Sequence, residues 1–220
     1  MEQRAKANVF LYLVLVFAFC TLTYFFHLGP LAAMWGPGVA AIVVSLLRRR
    51  SLKEIGWKIP RMKWLVIGWL IPVAVSSAAY GLIWMAGLGT VPNPTFLQRA
   101  RLTLGMASQS NGVVIVAAFA YISILGLLPG MIAAIGEEIG WRGFLVPELT
   151  QWMSFRNAAL VSGAIWCAWH MPAILSGSYG TTDTPRLYQI ACFSAMVLSS
   201  AVVLAWLRMK SGSIWPGIIM

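Results

Sequence analysis

Acidic residues are scarce in this chain of 220 residues. There are six, Glu2, Glu54, Glu137, Glu138, Glu148 and Asp183, against 16 lysines and arginines. Charged side chains make up 10% of the sequence and apolar ones 60%. An ordinary soluble domain carries roughly 25% charge, so this composition excludes disorder and argues against a water-soluble globule. Histidine is equally sparse, with only His27 and His170, which leaves no H-E-x-x-H zinc helix. There is no G-x-S-x-G elbow and no phosphate-binding P-loop. The three cysteines, Cys20, Cys167 and Cys192, lie inside apolar runs without C-x-x-C spacing. They read as buried thiols and not as a disulfide or zinc framework.

What the chain does have is long apolar runs. The expected fold is all-α: a polytopic transmembrane helical bundle of about six full spans plus the start of a seventh, within one integral membrane domain covering residues 1–220. The first run, residues 9–26, is too long for a signal-peptide core and reads as an uncleaved span. Further spans are expected at about 31–47, 64–88, 157–175 and 188–207. A polar stretch, 89–111, carries turn signals at Pro92 and Pro94. The net charge of +10 sits mostly between the apolar runs, so it reads as a topology signal and no nucleic-acid partner is expected.

Residues 112–146 are too long for a simple span. As a straight helix they would measure about 50 Å at 1.5 Å per residue, against a hydrocarbon core of about 30 Å. Pro129-Gly130 offers a kink. A single bent span puts 13 of the 16 basic residues on one side, leaving Arg99, Arg101 and Arg186 on the other. Two short spans would divide them. The positive-inside rule prefers the single span, with the N-terminus cytoplasmic. The expected location is the cytoplasmic membrane of a bacterium, with lipid as the surrounding partner.

Glu137 and Glu138 stand out against that background. Both are embedded between apolar residues, and insertion of each carries a penalty of about 2.5–3.5 kcal/mol. Glu138 and Arg142 are four apart and share a helix face, so they can pair. Glu137 points about 100° away and has Trp141 at the equivalent spacing. That leaves Glu137 free to act as a general base on water. The competing reading is a salt-bridge cluster that only locks helices together. His170, in Ile165-Trp-Cys-Ala-Trp-His170, is the second candidate; counted along the helices, its depth can match that of Glu137. A glutamate and a histidine meeting in a wet cavity would activate water or bind a metal. Trp141, Trp166 and Trp169 flank the pair; packing is their expected role, and shaping a substrate groove is the alternative. Trp57, Trp64, Trp152 and Trp215 suit the membrane interfaces, as does His27. The other acids, Glu2, Glu54, Glu148 and Asp183, are expected in tails, loops or a helix end.

Glu137-Glu138-Ile-Gly-Trp-Arg142 resembles the E-E-x-x-x-R motif of the CAAX prenyl protease and bacteriocin-processing family of intramembrane proteases. Trp166-Cys-Ala-Trp-His170 resembles its second motif, F-x-x-x-H, with Trp in place of Phe. The resemblance covers roughly residues 131–220, with a family-like core expected at about 112–220. It implies a type II CAAX endopeptidase-like metalloprotease whose substrate is a peptide or the C-terminus of a prenylated protein. By that analogy Glu137 activates water, Glu138 and Arg142 support it, and His170 positions the water or a metal. The resemblance leaves two mechanisms open, one using a divalent metal such as zinc held by Glu137 and His170, the other a metal-free glutamate mechanism. Bacterial relatives also include non-enzymatic bacteriocin immunity and scaffold proteins, and a small proton-coupled transporter is a further rival. A third family motif, H-x-x-x-N or similar, has no counterpart: its candidate helix starts at Ser213 and the sequence ends at Met220. Truncation before that motif is the expectation.

Overall fold

The computed structural model describes residues 2–180 and 184–220; Asp183, expected in a loop, lies outside the described residues. Within them the chain is helical throughout, with no strand. The order is α1 (Glu2–Phe25), α2 (Pro30–Leu47), a 3-10 turn (Leu52–Ile55), α3 (Met62–Met85), α4 (Pro94–Leu104), α5 (Asn111–Ile124) and α6 (Leu127–Glu138). A π-helix (Ile139–Leu145) leads into α7 (Val146–Leu149), followed by α8 (Phe155–Ser176), α9 (Arg186–Ser211) and the short α10 (Trp215–Ile219). Among the described residues, six helical stretches are long and apolar enough to cross a membrane, one of them the continuous run Asn111–Leu149. A bundle of this kind is an integral membrane architecture.

Local chemistry sets the ends. Ser154 Oγ accepts from the amide of Asn157 at the start of α8, and Asn93 Oδ1 from that of Phe96 at the start of α4. α8 and α9 stop at Gly177 and Gly212, both in the left-handed region that ends helices. The stretch expected to be a mere connection, 89–111, contains the amphipathic α4, which packs Leu97 and Ala100 on Val114 and Ala118 of α5.

The long span is interrupted one turn earlier than Pro129-Gly130, where a kink is expected. α5 ends at Ile124 and α6 starts at Leu127. Pro129 has no N–H for the carbonyl of Leu125, four residues back, and its ring crowds that oxygen. The chain tightens instead, with the Leu128 amide on Leu125 O at 3.2 Å. Nearby, Trp69 of α3 donates its indole N–H to the carbonyl of Ser123 (3.2 Å).

Contacts at one end of the bundle fix the path. Arg208 donates to Glu54 O (2.9 Å), the Ile214 amide to Gly56 O (3.0 Å) and the Trp215 indole to Trp57 O (2.8 Å). Arg50 pairs with Glu148. The ends of α2, α7 and α9 therefore share one side with the start of α3. Residues 111–149 accordingly traverse the bundle once, as the single-span reading requires.

Candidate functional site

The carboxylate pair is positioned by glycines. Gly136 and Gly140 flank it at four-residue spacing, on the face that meets α2. A Cβ at Gly136 would run into Met34 and Trp35, and one at Gly140 into Pro37; the reciprocal Gly38 abuts the Gly136 main chain. The two backbones approach as closely as small residues permit. With Gly136 and Gly140 turned to α2, Glu137 and Glu138 face other neighbours. Trp35 secures the contact by donating to Ile132 O (3.1 Å).

Immediately after the pair the helix loosens into the π turn. π segments are rare and cluster at functional sites. Across this one, Arg142 Nη1 donates to Glu138 Oε1 at 2.8 Å, with Arg142 1% and Glu138 4% exposed. The other Glu138 oxygen and two further guanidinium nitrogens of Arg142, Nε and Nη2, are buried without a protein partner. Glu138 Oε2 fills the volume that a side chain at Gly217 of α10 would occupy. Buried polar atoms of this kind are ordinarily met by internal water.

Glu137 is held separately. Trp166 of α8 donates its indole N–H to Glu137 Oε2 across 2.7 Å. The same indole lies 4.2 Å from the Arg142 guanidinium carbon, a cation–π stack. Glu137, Glu138 and Trp166 line one open cavity of about 240 Å³, together with Met34 of α2, Ser200 of α9 and Gly217.

His170 sits one turn farther along α8. A carbonyl only accepts, so its Nδ1 carries the hydrogen and donates to Trp166 O at 3.1 Å, leaving Nε2 as the acceptor. Its ring is enclosed by Trp169 (centroids 4.5 Å), Phe193 (4.9 Å), Tyr179 (5.7 Å) and Trp166 (6.0 Å). Among the described residues His170 makes no hydrogen bond to Glu137. Trp166 bridges them, its side chain on the acid and its carbonyl on the imidazole.

A catalytic zinc takes three protein ligands and one open position. Among the described residues no three His, Cys, Asp or Glu side chains come together to hold a metal. The two nominated donors, Glu137 and His170, are each bonded to a different part of Trp166. The described residues therefore do not fit a catalytic divalent cation.

Two residues were passed over in the sequence. Glu148, 1% exposed, is no simple helix end: it accepts from Asn8 Nδ2 (2.9 Å), Gln151 Nε2 (2.9 Å) and Arg50, tying α1 and the loop after α2 to α7. Arg50 itself continues to Glu54 (2.8 Å); burial draws its guanidinium down, but Glu54 and Glu148 outweigh this and hold it above its ordinary range. Tyr12, wholly buried on Trp141 and Phe144, brings an unpartnered hydroxyl toward the site. The one available signal for Glu148 was its scarcity: an acid next to an apolar run, in a chain with six.

Comparison with known proteins places the carboxylate pair inside a stretch shared with a protease family. Residues 118–220 match the type II CAAX prenyl endopeptidase Rce1-like family. CAAX prenyl protease 2 of Methanococcus maripaludis is 29% identical over 94 residues, 41% of this chain and 34% of that relative, so the aligned stretch spans about a third of its length. No solved structure matches the chain significantly. Homology over the C-terminal part, with the carboxylate pair inside it, supports membership of the CAAX-protease superfamily without fixing the subtype.

Proposed function

We propose that the protein is an intramembrane endopeptidase of CAAX type that cuts a peptide, or the C-terminus of a prenylated protein, by water activated at Glu137 and His170, with or without a divalent metal. Glu137 takes a proton from water as the water oxygen attacks the scissile carbonyl, and returns it to the leaving amine as the carbon–nitrogen bond breaks. Arg142, paired with Glu138, supplies fixed positive charge beside the developing oxyanion. His170 offers Nε2 as an acceptor to orient substrate or water. The N-terminus is assigned to the cytoplasm by the basic loops gathered at one end of the bundle. One observation carries the reading: two buried carboxylates border a cavity between apolar helices, one of them paired with a buried arginine behind it, within the stretch similar to CAAX proteases. The test is cleavage of a prenylated peptide by the full-length protein in lipid. Glu137→Ala and His170→Ala should each abolish cleavage while membrane expression stays intact; undiminished cleavage in both variants ends the mechanism.

A second reading is favoured by the distinct partners of Glu137 and His170. In a non-enzymatic immunity or scaffold protein the Glu138–Arg142 pair and the Trp166 contacts would fasten the bundle around a binding cavity. Such a protein cleaves nothing in the same assay, and its partner binding survives Glu137→Gln.

A further inference from the structure

Three groups proposed for the chemistry, Glu137, Arg142 and His170, lie on two helix segments that share no covalent turn. One residue touches all three. Trp166 donates Nε1–H to Glu137 Oε2 (2.7 Å), stacks its face on Arg142 (4.2 Å), and accepts the Nδ1–H of His170 on its carbonyl (3.1 Å). An indole nitrogen is a donor only, so the contact with Glu137 has a single sense. It engages one carboxylate oxygen and makes the two inequivalent. The carbonyl bond fixes the imidazole tautomer, so Nε2 is the nitrogen left for the reaction.

We infer that Trp166 is a positioning residue, whose indole N–H aims the second oxygen of Glu137 into the cavity while its main chain orients His170. This rests on the reading of Glu137 as the base. The side chain is half-buried and lines the same cavity, so it reaches the site directly. Phenylalanine, the residue of the resembled motif, supplies the ring face and the carbonyl but no N–H. The indole donor is what tryptophan adds at this position. Removing one such orienting bond displaces the reacting oxygen without altering how substrate is held, which predicts an effect on turnover and little on binding.

The test uses the full-length protein in lipid nanodiscs and a farnesylated peptide. Trp166→Phe keeps the stack on Arg142 and the carbonyl toward His170 and deletes the N–H alone. The expected result is a kcat lowered about tenfold to a hundredfold with KM unchanged. A kcat equal to or above that of the wild type overturns the inference, since it would make the indole mere packing or an obstruction. A second measurement does not depend on cleavage. The indole ¹⁵N–¹H resonance of Trp166, identified by its loss in Trp166→Phe, should move on Glu137→Leu, which removes the acceptor. A resonance indifferent to Glu137→Leu overturns the inference. A wild-type protein that cleaves nothing, yet whose Trp166 resonance responds, defeats the protease reading and supports the contact.

Discussion

Arg142 and Glu138 are joined at 2.8 Å across a π-helical turn, and neither side chain reaches the surface. The pair therefore fastens the helix and holds Glu138, which lines the cavity, in one orientation. Removing one partner strands the other: Arg142→Met leaves a buried carboxylate unpaired, and about 3–5 kcal/mol of stability should be lost. Replacing both together, as Glu138→Leu with Arg142→Met, should recover most of that loss and leave a folded protein without cleavage. Unfolding in detergent micelles, run as a double-mutant cycle, measures the coupling. Additive losses would mean that the two do not interact.

Gly140 meets Pro37 with no room for a side chain. Gly140→Val should separate α2 from the π turn, lower stability by about 1–3 kcal/mol and disturb the acids beside it. Gly112 faces open space, and Gly112→Ala should change stability by less than about 1 kcal/mol, in the favourable direction. Thermal unfolding of the two variants side by side tests the contact. Equal tolerance of both would contradict the backbone approach.

Glu148→Ala leaves Asn8, Arg50 and Gln151 without their shared acceptor. Arg50 keeps some contact with water, so the expected loss is moderate, about 2–3 kcal/mol. Because the ends of α1 and α7 are joined only loosely once it is gone, protease accessibility of the loop 48–61 should rise with the destabilisation. A variant as resistant as the wild type would show that the network does not hold these ends.

Cleavage by the full-length protein in the presence of a strong chelator separates the two mechanisms: glutamate chemistry without a metal persists, and a metal held by Glu137, His170 and a further ligand is stripped. Activity that survives the chelator assigns the chemistry to Glu137 alone, and activity lost in chelator and restored by added zinc assigns it to a metal.

Most of the architecture was legible in the sequence, because a membrane span is specified by length and apolar content. The expected spans at 31–47 and 157–175 differ from α2 and α8 by no more than two residues at either end. The pairing of Glu138 with Arg142 followed from spacing alone. Other features were not legible, for identifiable reasons. Glu148 was hidden because its partners Asn8 and Arg50 lie more than ninety residues away in sequence. The meeting of Glu137 with Trp166, and not directly with His170, depends on an axial offset of one turn, about 5.4 Å, finer than a count of residues from helix ends resolves. The π turn was invisible to a reading that assumes 3.6 residues per turn throughout. Gly136 and Gly140 were visible as residues, but their meaning required knowing that α2 crosses there.

The π turn has a consequence for how this stretch tolerates length changes. A π segment amounts to slack, one residue more than a regular coil of the same span would use. Shortening Ile139–Leu145 by one position would let it rewind as ordinary helix with Glu148 still turned to Arg50, whereas the same deletion in a regular helix would swing everything beyond it by about 100°. A deletion that would misalign Glu148 anywhere else in the run would therefore leave its contact with Arg50 intact here.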